Sequence, residues 1–135
     1  MTQQARRAYT VGDDLNPVVK TITQEMIGRY AVSSGDGNPL HTDPDFAAAT
    51  QFGGTIAHGM LVLAYLSEML TAAFGEGWVA GGRMKARFRA PARPGDTVTA
   101  GGRVTKAEAG TLRCEAECWN QAGEVLITAD VEVPA

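Results

Sequence analysis

The sequence predicts an α+β domain in which about five antiparallel strands wrap around one long buried helix. The segment from His58 or Gly59 to about Phe74 is apolar on nearly every side, which is typical of a helix in the middle of a fold. After Gly77 the apolar period changes to two and remains two to the C-terminus. One-sided strands need a cover, and this helix is the only one apolar enough to provide it.

The N-terminal third predicts a short strand at residues 18–22, followed by two helices. Thr23 is placed to cap the first helix, whose apolar face consists of Met26, Ile27, Tyr30 and Ala31. Residues 33–39 are dense in turn-forming residues, so they must end that helix. Residues 43–49 predict a short second helix with a proline in its first turn.

The C-terminal half predicts four strands with one apolar face each, at residues 83–90, 97–104, 112–119 and 125–133. Turn-forming residues separate them at 93–96, 109–110 and 121–123. We expect an antiparallel meander, in which consecutive strands are neighbours, and the early strand brings the total to about five. Open sheet edges and an outward-facing Trp119 predict a homodimer or a higher homo-oligomer.

The bulk properties predict one domain at residues 9–135, preceded by a flexible N-terminus at residues 1–8. The 12 Lys and Arg against 15 Asp and Glu leave no broad cationic surface, which argues against a general nucleic-acid binder. No apolar run follows the N-terminal arginines, and residues 56–66 are too short to span a membrane. We therefore expect a cytoplasmic protein without nucleic-acid or membrane partners.

The two cysteines, Cys114 and Cys118, share one face of a predicted strand. Four strand residues span roughly 13 Å, which exceeds the reach of a disulfide. Two buried free thiols fit a reducing cytosol.

The segment 33–41 is the most informative part of the chain. It contains a carboxylate (Asp36), a carboxamide (Asn38) and one of only two histidines (His41). Glycines on both sides of Asp36 allow a tight turn, and Pro39 restricts its motion. A carboxylate beside an imidazole can remove and deliver protons near neutral pH, as the addition of water requires. An isolated segment of this composition would instead favour a turn that caps the next helix.

Two motifs, in a fixed order along the chain, favour the proton-transferring pair over the capping turn. The sequence GDGNPLH at residues 35–41, with HGM at residues 58–60, resembles the MaoC-like family of (R)-specific enoyl-CoA hydratases and 3-hydroxyacyl-thioester dehydratases. Tyr30, Ala57 and the segment 88–96 also fit the family pattern, so the resemblance extends from about Val11 to the end of the chain. It implies a single hotdog fold, which agrees with the predicted sheet and central helix.

The resemblance implies that Asp36 and His41 form a catalytic pair that holds the water and shares the proton transfers. Gly59, at the amino end of the long helix, would present its backbone N–H to the thioester oxygen and stabilise the developing charge. Ala64 stands where some relatives carry a serine. Three further residues would border the substrate, the first mainly by shaping the loop: Asn38, His58 and Met60.

For other polar residues we favour a structural interpretation. His58 is expected to bond to the backbone rather than to transfer protons. A metal site built from His41, His58 and Asp43 matches no standard spacing, so we expect neither a metal nor a cofactor. The row of Arg83, Lys85, Arg87 and Arg89, with Arg93 beyond it, is expected to be a solvated outer face. The alternative is a cationic track for coenzyme A phosphates or for an acidic acyl carrier protein.

The predicted function is that of a hydro-lyase, which hydrates trans-2-enoyl thioesters of coenzyme A or acyl carrier protein to (R)-3-hydroxyacyl thioesters. The first alternative is a hotdog thioesterase with Glu68 as its carboxylate, although Glu68 is expected to be an exposed or hydrogen-bonded helix residue. The second is an acyl-binding auxiliary subunit of a heterodimeric dehydratase. The complete Asp36 and His41 loop favours the hydro-lyase.

Overall fold

A computed structural model describes residues 8–134, which form one five-stranded antiparallel sheet and five helices. In chain order the elements are β1 (Val18–Thr21), α1 (Gln24–Ser34), α2 (Pro39–Thr42), α3 (Pro44–Ala48), α4 (Gly59–Phe74), α5 (Glu76–Gly81), β2 (Arg83–Phe88), β3 (Thr97–Glu108), β4 (Thr111–Trp119) and β5 (Val125–Pro134). The predicted α+β architecture, a sheet around one long central helix, is confirmed. The N-terminus predicted to be flexible lies, except for Ala8, outside the described residues.

Helix α1 forms where the capping pattern predicts it. The Thr23 side chain accepts a hydrogen bond from the Met26 N–H at 3.1 Å, which satisfies one of the unpaired donors of the first turn. Ile27 and Ala31 are buried one turn apart and fix the inner face of the helix. Gly35 ends it in the left-handed conformation, with φ 76°, which few other residues adopt at low cost.

The short helices depart from the prediction. The second helix predicted at 43–49 is the five-residue α3, and an unpredicted helix, α2, precedes it. Asn38 caps α2, and Pro39 occupies its first turn, where a proline lacks no needed N–H. A second unpredicted helix, α5, follows Gly75, whose φ of 57° redirects the chain. Such one-turn helices carry too few residues to show an apolar period.

The strand order β1-β3-β4-β5-β2 corrects the predicted meander. Strands β3, β4 and β5 are consecutive neighbours as expected, but β2 pairs with β5 and not with β3. The edge of β3 is occupied by β1, and the backbone of Ile22 exchanges hydrogen bonds with Gly95 and Asp96 at 2.7 and 2.8 Å. The turn at 93–96 is therefore held against the end of β1 and does not close a hairpin.

The core lies between the inner face of the sheet and one side of α4. This side of the helix buries Val62, Tyr65, Leu66, Met69, Leu70 and Phe74. Alternate residues of the strands meet it, including Val98, Val104, Cys114, Ile127 and Val131, which are at most 2% exposed. The sequence predicted burial on nearly every side, but Met60 is 56% exposed and Ala64 is also exposed. The sheet of one chain covers only one side of the helix.

Both cysteines are free and buried, as predicted. Burial raises the pKa of the Cys114 thiol to about 11 and that of the Cys118 thiol to about 12, so neither is a thiolate near neutral pH. Neither is therefore an activated nucleophile. Across residues 8–134, no helix has the length and apolar character that a membrane crossing requires.

In the cationic row, Arg83, Lys85 and Arg87 are exposed on β2 and Arg89 is exposed directly after the strand. Exposure fits both a solvated face and a cationic track, so the choice between them stays a prediction. The cross-strand neighbours of the row on β5 are largely acidic: Arg83 faces Glu132, and Lys85 faces Asp130. Glu68 is 52% exposed and lies 3.1 Å from the Lys20 ammonium, as expected for an exposed helix residue. The outward Trp119 packs over Gly101, where an added Cβ would lie 2.7 Å from the ring.

Candidate active site

Short side chain to backbone hydrogen bonds fix the shape of the loop between α1 and α2. Asp36 Oδ1 accepts from the Asn38 N–H at 3.3 Å, and Asn38 Oδ1 accepts from the Leu40 N–H at 2.9 Å. The Asp36 N–H donates to Ser34 Oγ at 3.2 Å. These contacts use only one carboxylate oxygen of Asp36, so Oδ2 remains available on the side of the loop that faces His41.

His41 lies on α2 with its ring orientation fixed by the backbone. Its Nδ1 is 2.8 Å from the Ile56 carbonyl oxygen, which can only accept, so Nδ1 carries the proton. Nε2 then faces Asp36 Oδ2 at 3.8 Å. This separation is too long for a direct hydrogen bond, yet both atoms can contact one water molecule. The His41 side chain is 12% exposed and that of Asp36 is 53% exposed, so solvent reaches the pair from the carboxylate side.

The second histidine lies against this pair. The rings of His41 and His58 are stacked, with centroids 3.8 Å apart and an angle of 22° between their planes. His58 Nε2 is 3.0 Å from the Asp36 carbonyl oxygen, so the helix-entry histidine bonds to the backbone as predicted. The loop and the start of α4 are thereby brought together.

The amino end of α4 offers backbone donors next to the pair. Within residues 8–134, no acceptor engages the N–H of Gly59 or of Met60, the first two residues of the helix. Unpaired N–H groups and the helix dipole make this end favourable for an oxygen that gains negative charge. Gly59 also accommodates the Phe88 ring, since an added Cβ would lie 2.9 Å from that ring.

An apolar pocket of about 310 Å³ opens beside these donors. Its walls come from the loop before α4, from α4, from the end of β2 with the segment after it, and from β5, including Phe52, Ile56, Gly59, Val62, Phe88 and Ile127. Two larger depressions of about 390 and 550 Å³ lie on the outer face of the sheet. The apolar pocket is lined by Gly59 and by Ile56, whose carbonyl holds His41, and the two larger depressions contain neither residue, so we place the site at the apolar pocket.

The structure brings together four of the residues that the sequence singles out, namely Asp36, His41, His58 and Gly59. Met60 is adjacent but does not line the apolar pocket. Two residues were not predicted: Ile56, whose carbonyl orients His41, and Phe88, whose ring crosses Gly59. A signal for Phe88 was its position in the strand segment that fits the family pattern.

Among the described residues, one group of donors has the spacing to hold a metal ion. An oxygen of Asp36 and one nitrogen from each of His41 and His58 lie within 4.8 Å of one another. The carboxylate in this group is that of Asp36 and not that of Asp43. Asp43 instead caps α3, with Oδ1 accepting from the N–H groups of Asp45 and Phe46.

The sheet-wrapped helix and the carboxylate–imidazole loop at its amino end define a hotdog domain with a polar site at the helix tip. The model of the MaoC like domain family matches residues 6–121, and the chain belongs to this family.

Individual relatives agree with this assignment. The chain is 42% identical over 89 residues to an (R)-specific enoyl-CoA hydratase of Rhodospirillum rubrum, a match that covers 65% of this chain and 61% of the relative. It is 34% identical over 110 residues to an (R)-specific enoyl-CoA hydratase of Aeromonas caviae, covering 79% of this chain and 81% of that one. This chain thus spans about six-tenths of the first relative's length and four-fifths of the second's.

A solved structure gives the same fold. R-hydratase PhaJ1 from Pseudomonas aeruginosa, in the unliganded form, superposes with a TM-score of 0.83 at 30% sequence identity. The superposition covers 94% of this chain and 82% of that chain.

Proposed function

We propose that the protein catalyses the reversible hydration of a trans-2-enoyl thioester to the (R)-3-hydroxyacyl thioester. The observation that carries this proposal is the 3.8 Å separation of Asp36 Oδ2 and His41 Nε2, beside the unpaired N–H of Gly59. The names of the relatives, (R)-specific enoyl-CoA hydratases, supply the reaction class and its stereochemistry.

Each step of the reaction has a group in the site to perform it. The thioester oxygen accepts a hydrogen bond from the Gly59 N–H, and the acyl chain occupies the apolar pocket. A water molecule lies between Asp36 and His41, whose Nδ1–H donates to the Ile56 carbonyl and leaves Nε2 free to accept a proton in the neutral ring. The water oxygen bonds to C3, the π electrons move toward the carbonyl, and a proton from the pair is delivered to C2. Addition of one water balances the reaction, so no cofactor is consumed.

A purified-protein assay with crotonyl-CoA tests the proposal. We expect loss of the enoyl-thioester absorbance and formation of (R)-3-hydroxybutyryl-CoA, unchanged by EDTA because the mechanism uses no metal ion. Repeating the assay with the acyl carrier protein thioester compares the two carriers. Activity that EDTA abolishes and Zn²⁺ restores would contradict the metal-free mechanism and assign the donors Asp36, His41 and His58 to an ion.

The same assay separates the alternative functions. Release of free thiol without a hydroxyacyl product would indicate a thioesterase, and no reaction with any thioester would favour the auxiliary subunit. The position of Glu68 disfavours the thioesterase, because it pairs with Lys20 and lies nine residues along α4 from Gly59, about 13 Å by helical rise.

We also propose that the active protein is a homodimer or a higher homo-oligomer. The side of α4 that carries Met60 and Ala64 is exposed, and the edge strand β2 pairs only with β5 among the described residues. Light scattering is expected to give at least twice the chain mass of 14.2 kDa. A monomer with full hydratase activity would overturn this part of the proposal.

A further inference from the structure

His58 makes a buried hydrogen bond to the loop that carries the proposed catalytic pair. It immediately precedes α4, and the residue is 3% exposed. Its Nε2 lies 3.0 Å from the carbonyl oxygen of Asp36, which is 22 positions earlier in the chain. Because that oxygen can only accept, Nε2 carries the proton of this bond. The bond fixes the distance between the Asp36 backbone and the amino end of α4.

The ring of His58 also supports the imidazole of His41. The two rings are 3.8 Å apart and nearly parallel, and the Tyr30 ring of α1 packs against His58 at 4.8 Å. The orientation of His41 is thus determined by two independent contacts, the bond to Ile56 and the stack on His58.

The backbone of the same residue begins the central helix. The His58 carbonyl oxygen accepts from the N–H groups of Leu61 and Val62 at 3.1 and 3.4 Å, and its ψ of 134° leads directly into Gly59. A single residue therefore links Asp36, His41 and the N–H of Gly59, which come from two separate parts of the chain.

We infer that His58 is a positioning residue, which holds Asp36 and His41 in register with the Gly59 N–H. This inference rests on the proposed hydration, in which misplacing a reacting group by about 1 Å can cost on the order of 100-fold in rate. His58 itself is too buried to offer much surface to a substrate. Its Nδ1 is buried and has no hydrogen-bond partner among the described residues, so no proton path leads through the ring.

That unpaired nitrogen is itself informative. A buried nitrogen without a partner costs stability, and a phenylalanine would fill the same space without that cost. The histidine therefore contributes something that phenylalanine lacks, and the Nε2–H bond to Asp36 is the contact that only the histidine makes.

Three variants of His58 separate the contribution of its Nε2–H hydrogen bond to the rate from the contribution of its ring. His58→Gln keeps a donor near the position of Nε2, His58→Asn moves the donor to the position of Nδ1, and His58→Phe keeps the ring alone. We expect kcat to fall about 10- to 100-fold in the Asn and Phe variants and to stay within about threefold in Gln. KM is expected to change little, because the buried His58 offers little surface to a substrate.

Each result decides the role. A Gln variant as slow as Asn, with both folded, would overturn positioning by the hydrogen bond and point to the ring itself. Near-parent kcat in all three variants would show that His58 has no such role. If the Asn variant does not fold, the Phe variant, which preserves volume and stacking, decides the comparison with Gln.

A measurement without turnover keeps this inference separate from the proposed function. Amide hydrogen exchange at Leu40 and His41 is expected to be about tenfold faster in the Asn variant than in the parent and unchanged in Gln, because the loop loses its attachment to α4. A parent protein inactive on every thioester would refute the hydration, yet faster exchange would still support the attachment. Equal exchange in parent, Gln and Asn would overturn it.

Discussion

Replacing Asp36 with Asn, or His41 with Ala, is expected to reduce kcat by roughly 10²- to 10⁴-fold while the protein stays folded. The amide introduced by Asp36→Asn can still accept from the Asn38 N–H, but it can no longer take a proton from water held against His41. Asp36 is half exposed and makes few contacts, so its substitution is expected to change the free energy of unfolding by about 0.5 kcal/mol or less. Steady-state kinetics with crotonyl-CoA and a thermal melt measure both quantities.

Matched variants make this result specific. Asp45→Asn removes an equal charge from the neighbouring helix, where its carboxylate makes no hydrogen bond among the described residues, and should leave kcat unchanged. His41→Asn places an amide where Nδ1 lies and so can keep the bond to Ile56, while it removes Nε2. We expect His41→Asn to be as inactive as His41→Ala but more stable. Parent-like kcat in either Asp36→Asn or His41→Ala would show that the pair is misassigned.

The parts of the fold set by local chemistry were predictable from the sequence. Thr23 caps α1 through a hydrogen bond to a residue three positions on, and Gly35 ends the helix through its own left-handed conformation, so both signals are local. The period-two pattern of β3 to β5 likewise follows from one buried face. The loop pair was also accessible, since Asp36 and His41 are five positions apart and Pro39 limits the conformations between them.

The features that the sequence did not reveal depend on contacts between distant segments. The position of β2 beside β5 is decided by β1, which takes the edge of β3 that a hairpin would have used. His58 bonds to the backbone carbonyl of Asp36, a group that every residue type has. The identity of residue 36 therefore cannot predict this bond. The contact of Phe88 with Gly59 likewise requires the sheet to be folded over the helix tip.

At Gly59, one substitution can remove the backbone N–H hydrogen with little disturbance of the fold. Gly59→Pro deletes the N–H proposed to bind the thioester oxygen, and proline is well tolerated in the first position of a helix. His58 already has φ −61° and ψ 134°, a conformation that suits a residue before proline. We therefore expect a folded protein whose kcat falls about 10²-fold, with the remaining donor at Met60 limiting the loss.

Gly59→Ala is the control for this variant, because alanine and proline add the same Cβ and only proline lacks the N–H. In both, the Cβ would lie 2.9 Å from the Phe88 ring, which is 56% exposed and free to shift. Alanine is expected to reduce kcat less than about tenfold, and Phe88→Leu should relieve that loss by making room. If alanine were as damaging as proline, crowding at Phe88 would explain the effect and the N–H would have no special role. A proline variant with parent kcat would refute the oxyanion role outright, since no other change at this position removes that hydrogen so selectively.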